Sequence, residues 1–79
     1  MYEKPFQDHW KHNHCWGCGA DNDHGLKIKS IMSDDGAICT WMPAPYHKAG
    51  PDNVLNGGII ASIFDCHTSC TAIADAYVR

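Results

Sequence analysis

Asn56-Gly57-Gly58-Ile59-Ile60-Ala61-Ser62-Ile63-Phe64-Asp65 is the stretch from which the rest of the chain is read. Two adjacent glycines open an apolar run that holds one carboxylate. The run continues through Cys66, His67 and Thr68 to Tyr77 and Val78. It contains no proline, so the pattern predicts one helix over 57–78, at ~3.6 residues per turn. Asn56 suits the N-cap, because its side-chain oxygen accepts a backbone N–H that the first turn leaves unpaired. Glycine at the helix entrance lets another group approach the backbone. There, unpaired N–H groups and the positive end of the helix dipole favour an oxygen gaining negative charge.

At ~100° per residue the helix has two unlike faces. Ile59, Ile60, Ile63, Phe64, His67, Cys70, Ala74 and Tyr77 form a bulky apolar stripe suited to a core. Ala61, Ser62, Asp65, Ser69, Ala72 and Ala76 form a face of small residues around a lone acid. An ordinary exposed face carries Lys, Glu and Arg, and this one carries none. The pattern therefore predicts a helix covered on both sides, with Asp65 in a crevice against another element. The plainer alternative is a half-exposed helix with a solvated Asp65.

With 79 residues and a net charge of −3, the chain has room for one small domain and lacks the basic surface that nucleic acid requires. Chains this short bury a modest fraction of their surface and often need staples or partners. No apolar run is long enough to span a membrane. Residues Met1–His9 show neither the basic nor the apolar region of a signal peptide. Five cysteines, an odd number without a secretory signal, suggest reduced thiols and a cytoplasmic location.

Residues 1–25 read as an N-terminal cover and a cysteine-rich turn, with Phe6, Trp10 and Trp16 as candidates to fold over a core. His12-Asn13-His14-Cys15-Trp16-Gly17-Cys18-Gly19 has zinc-ligand types, but a closed site usually takes a second pair from a distant segment, and no second Cys-x-x-Cys exists. His12 and His14 could complete it only with strained geometry. A redox pair would open a helix, whereas Gly19 to Gly25 is turn chemistry. A tight turn holding two partly buried thiols is the preferred reading, and neither a metal nor a cofactor is assigned.

Residues 26–42 read as a β-hairpin. Leu26 to Met32 alternates apolar and polar, Ser33-Asp34-Asp35-Gly36 turns, and Ala37 to Met42 returns until Pro43 and Pro45 stop it. Residues 43–56 form a loop that carries Tyr46, His47 and Lys48 and delivers the chain to Asn56. His47 is a candidate substrate-binding residue, with simple solvation as the alternative. Cys66, His67 and Cys70 invite a Cys–His nucleophile. Small buried hydrophobes are the preferred reading for these thiols.

Cys15-Trp16-Gly17-Cys18-Gly19, Asn22-Asp23-His24-Gly25-Leu26, and Gly57-Gly58 with Asp65 seven residues later together resemble the N-terminal half of hotdog-fold thioesterases of the PaaI-like group. The resemblance implies an α+β hotdog domain, with an antiparallel sheet wrapped on a long central helix. It implies an acyl-CoA substrate whose carbonyl oxygen rests on the Gly57 amide, aided by Gly58, and Asp65 as general base or nucleophile. It also implies a homodimer or homotetramer in which Asp65 serves the Gly57-Gly58 of a partner, and no cofactor. Two departures stand out. The family's histidine at the helix entrance is Asn56 here, which cannot carry a proton at neutral pH and is left with orienting or capping. Only two strands precede the helix, so the domain is expected to be truncated after it, with the remaining sheet supplied from elsewhere. Beside thioester hydrolysis stand a non-catalytic acyl-binding or assembly protein and a small zinc module built on the His/Cys cluster.

Overall fold

The structure, a computed structural model, describes residues 4–77, with the side chain of residue 77 excepted. Val78 and the side chain of Tyr77, assigned above to the helix and its apolar stripe, lie outside the described residues. The architecture is a small α+β arrangement: a two-stranded antiparallel sheet followed by one long helix. A 3₁₀ turn, Phe6–His9, precedes strands β1 (Ser30–Ser33) and β2 (Gly36–Cys39), and a second short turn, Pro45–His47, precedes α1 (Gly57–Tyr77). Among the described residues no helix is long and apolar enough to cross a membrane.

The hairpin forms where Asp34-Asp35 predicts it. Ser33 pairs with Gly36 and Ile31 with Ile38, and Gly36 takes φ +135°, a value that disfavours a side chain. The strands are shorter than the sequence suggests. Leu26 to Lys29 keeps the expected inward–outward alternation, with Leu26, Ile28 and Ser30 buried, yet it is not part of the ladder. Lys27 sits at φ +59°, and the amides of Leu26 and Ile28 bond the carbonyls of Trp16 and Gly17 instead of a strand. The segment is therefore stitched to the cysteine turn. Residues 40–42 likewise leave the ladder after Cys39, and the Trp41 indole N–H donates to the Leu26 carbonyl.

The core comprises Phe6, Cys18, Leu26, Ile28, Ile59, Cys66, Cys70 and Ala74, with Met32, Trp41, Leu55 and Ile63 against it. Phe6 is the aromatic cover. Trp10 and Trp16, read as further cover, are exposed. At the centre lies a polar pin. The Gln7 amide donates to Ser30 Oγ at 3.0 Å and accepts the Ser30 backbone N–H at 2.7 Å, and Ser30 Oγ meets His67 Nδ1 at 2.8 Å. The hydroxyl has one proton and two lone pairs, enough to meet both the Gln7 amide and the His67 ring nitrogen. Three elements (the first turn, β1 and α1) are thus tied at one buried hydroxyl.

The helix runs 21 residues, about six turns. It is covered on one side only, which corrects the expectation of cover on both. The buried stripe is Ile59, Cys66, Cys70 and Ala74, while Ile60 and Phe64, assigned to that stripe, are exposed at 41% and 66%. Asp65 is exposed with Ala61, Ser69, Ala72 and Ala76, so within one chain it occupies no crevice. The outward side of the hairpin also shows apolar residues, Ile31 facing Ile38 across the ladder with both exposed.

Candidate functional site

The head of α1 is fixed by the loop before it. Asn56 N–H donates to the His47 carbonyl, Ala49 N–H to the Val54 carbonyl, and Lys48 pairs antiparallel with Leu55. The loop is thus a closed turn that presents Asn56 at the helix entrance. Asn56 Oδ1 accepts the Gly58 amide at 2.8 Å and the Ile59 amide at 3.4 Å, the N-cap geometry its residue type predicts. A side chain at Gly58 would come within 3.1 Å of that oxygen, so the second glycine accommodates the cap. One at Gly57 would meet nothing, and the Gly57 N–H has no acceptor among the described residues. Of the two amides expected to receive an oxyanion, Gly57 is open and Gly58 is already committed to Asn56.

Asp65 lies two turns along, eight residues from Gly57, or ~12 Å at 1.5 Å rise per residue. Its carboxylate accepts the Ser69 hydroxyl at 3.2 Å. A single chain does not bring Asp65 and Gly57 onto one substrate carbonyl. His47 is half-buried. Its Nδ1 accepts the Ala44 amide at 2.8 Å, and its ring packs on Trp41 and Tyr46. That nitrogen therefore shapes the loop, leaving Nε2 as the only ring atom for a ligand. The same loop walls a groove of about 600 Å³, lined by residues including Pro43, His47, Lys48, Val54 and Leu55, which reaches the residue before the cap.

Ser30 and His67 resemble an activated nucleophile, but Ser30 is fully buried, so no substrate reaches its hydroxyl.

The grouping that sequence reasoning missed is made of thiols. The sulfurs of Cys15, Cys18 and Cys66 all lie within 4.8 Å of one another, with Cys15 and Cys66 3.9 Å apart. The turn that holds the first two is tightly bonded, with Gly19 N–H on the Cys15 carbonyl and Asp21 N–H on the Asn13 carbonyl. A side chain at Gly19 would strike Asn13 and Cys15 backbone, and one at Gly17 would strike the Cys66 sulfur. Gly17 is therefore what lets α1 approach the turn. All the cysteines are free thiols. Backbone N–H groups, that of Cys18 foremost, lower the Cys15 thiol below its ordinary range. Burial raises Cys18, and burial followed by the charge of Cys18 raises Cys66. Burial first, then Cys18, pushes Cys70 up to about 11. His12 and His14, the local candidates for a metal, are exposed and belong to no such group. His12 faces Asp21 at 3.9 Å, and the His14 carbonyl accepts the Asn22 amide. The missed signal was Cys66 and Cys70 at helical i,i+4 spacing, which presents two sulfurs on one face as a second Cys-x-x-Cys would.

Compared with protein-family models, with curated proteins and with solved structures, the chain finds no match in any of the three. The likeness to hotdog thioesterases thus rests on the quoted residues alone.

Proposed function

We propose that the chain hydrolyses acyl thioesters, acyl-CoA foremost, at a site shared between two copies in a hotdog-type homodimer or homotetramer. The observation that carries this reading is the uncovered face of α1. It holds Asp65 among Ala61, Phe64, Ala72 and Ala76, and an open amide, Gly57 N–H, stands at its head. The exposed Ile60, Phe64 and Ile73 on the same helix give that side apolar area suited to contact with another protein surface. Since Gly57 and Asp65 of one chain are too far apart to act on the same carbonyl, the acid comes from the neighbouring copy.

In this reading the thioester carbonyl oxygen accepts the Gly57 N–H. Asp65 of the other copy takes a proton from water, which adds to the carbonyl carbon, and the C–S bond then breaks to release the thiol. In the alternative route the Asp65 carboxylate attacks directly and water cleaves the mixed anhydride. The groove walled by residues 43–55 ends beside the helix head, and its volume falls in the range of small-molecule sites, ~300–1,000 Å³. It suits the arm of the thioester, with His47 Nε2 as a candidate contact. Because Gly58 N–H is held by Asn56, the oxyanion has one helix amide where two were expected. Loss of one such donor typically lowers rate by ~10²–10³.

That same commitment favours a second reading, a non-catalytic acyl-binding or assembly protein. Thiol release from a panel of acyl-CoAs separates the two. Turnover that falls roughly 10²-fold or more in Asp65→Ala supports hydrolysis. Equal rates in that variant, or turnover by a strictly monomeric sample, refute the shared site. Retention of acyl-CoA without turnover in a dimeric sample establishes the second reading.

A further inference from the structure

We infer that Cys15, Cys18 and Cys66 form a thiolate site for a soft divalent metal, zinc in the first instance, which clamps the N-terminal turn to α1. The site is independent of thioester hydrolysis and stands if that reading fails.

The geometry fits the metal. Zinc binds cysteine sulfur at ~2.3 Å in tetrahedral sites, so two sulfurs sharing one ion are separated by about 3.8 Å. Cys15 and Cys66 are already 3.9 Å apart, and Cys18 lies within 4.8 Å of both. A disulfide would require the same pair to close to ~2.05 Å. The three sulfurs come from two segments 48 positions apart, Cys18 and Cys66, so the group is a product of the fold. Cys70, one turn beyond Cys66, interacts with the Cys18 thiol but lies outside the group of three sulfurs.

The surroundings suit bound thiolates. The Cys15 sulfur receives the backbone N–H groups of Cys18 and Gly17, and the Asn13 side-chain amide donates to Cys18 at 3.9 Å. Such donors around metal-bound sulfur orient the ligands and offset their charge. Cys15 is exposed, which gives an ion access, while Cys18 and Cys66 are buried, which keeps it from water. Gly17 removes the one side chain that would otherwise hold Cys66 away from the turn. A structural role follows from the placement, since one ion held by Cys15, Cys18 and Cys66 would join the turn to the helix.

The test uses the untagged chain kept reduced with a phosphine, loaded with Zn²⁺, freed of excess ion and analysed for bound metal. The expected result is one zinc per chain in the parent and in Cys39→Ser, and loss of metal in Cys15→Ser, Cys18→Ser and Cys66→Ser. A second measurement needs no variant. Co²⁺ bound to the parent should give a tetrahedral spectrum with thiolate charge-transfer intensity for at least three sulfurs. Three results would each overturn the inference: no retained zinc, a cobalt spectrum reporting two sulfurs or fewer, or zinc retained in a folded Cys66→Ser protein but lost in His14→Ala. A Cys15–Cys66 disulfide that persists under reductant, seen as a mass lower by two hydrogens with no metal bound, would also overturn it.

Discussion

Removing the Ser30 hydroxyl offers the sharpest check on the packing that positions α1. In Ser30→Ala two hydrogen bonds disappear, one from the Gln7 amide and one shared with His67 Nδ1. The bond from the Ser30 backbone to Gln7 remains and holds the Gln7 side chain in place. Its amide, buried like Ser30 at 0% exposure, then keeps only the neighbouring Cys70 sulfur, a weak acceptor. An unsatisfied buried donor costs about 1–3 kcal/mol, and His67, half-buried and able to find water, adds about 0.5–1 kcal/mol. The sum is roughly 1.5–4 kcal/mol. For 60–100 residues each kcal/mol lowers Tm by about 4–8 °C, so a fall on the order of 6–30 °C is expected. Urea unfolding followed by circular dichroism gives the free energy directly. In a cycle with Gln7→Met, the double variant should cost less than the sum of the singles by about 1 kcal/mol or more, because both changes damage one network. A Ser30→Ala protein within about 0.5 kcal/mol of the parent would refute the buried pin. The parent should also resist active-serine phosphonate probes, since the hydroxyl is inaccessible.

Asn56→Ala should lower stability by about 0.5–2 kcal/mol through loss of the cap, and Asn56→Asp should restore it, because a carboxylate caps equally well and favours the helix dipole. Thermal unfolding of the three proteins decides this, and equal Tm values for Ala and Asn would remove the cap. Stability of the reduced, metal-free chain should fall as pH rises above 9. An unfolded thiol ionises near 9.0 while folded Cys70 holds its proton to about 11, so between those values the unfolded state alone gains from ionising. Burial acts in the same direction on Cys18, Cys39 and Cys66. Urea midpoints across this range, with a variant in which Cys70 is Ala showing a shallower decline, would establish the trend, and a flat profile would contradict it.

What the sequence makes legible is local chemistry. Asn56 at a helix entrance, Asp34-Asp35 at a hairpin turn and Gly19 to Gly25 as a turn each depend on neighbours a few residues away. The structure agrees with all three. Two features depend on distant partners and are misread from local pattern. Leu26 to Lys29 alternates like a strand, yet its amides find carbonyls in the cysteine turn and Lys27 adopts a left-handed conformation to reach them. The apolar arc of the helix is wider than a single small sheet can cover. Ranking residues by bulk puts Ile60 and Phe64 inside, whereas the contact side is set by Cys66 and Cys70, which pack against Gly17 and Cys18. The thiol cluster escapes for the same reason, since nothing local to Cys15 announces a helix residue 51 positions away.

The two proposals meet at adjacent residues on α1. Cys66 points into the turn and Asp65, ~100° around the helix, points away from it. A metal held by Cys66 would therefore fix the roll of the helix about its own axis. The Ser30–His67 contact fixes the same roll one residue further on, from the side of the sheet. With its roll pinned at two points, α1 presents Asp65, Phe64 and the small residues as a set orientation to a neighbouring chain. Without the metal, the clamp at Cys66 is a thiol contact worth little more than its packing, and the helix can turn around the remaining pin. Zinc removal should then weaken self-association of the chain more than Cys39→Ser does, even where helicity is retained. Sedimentation with and without chelator measures this, and an oligomeric state indifferent to the metal would separate the clamp from the assembling face.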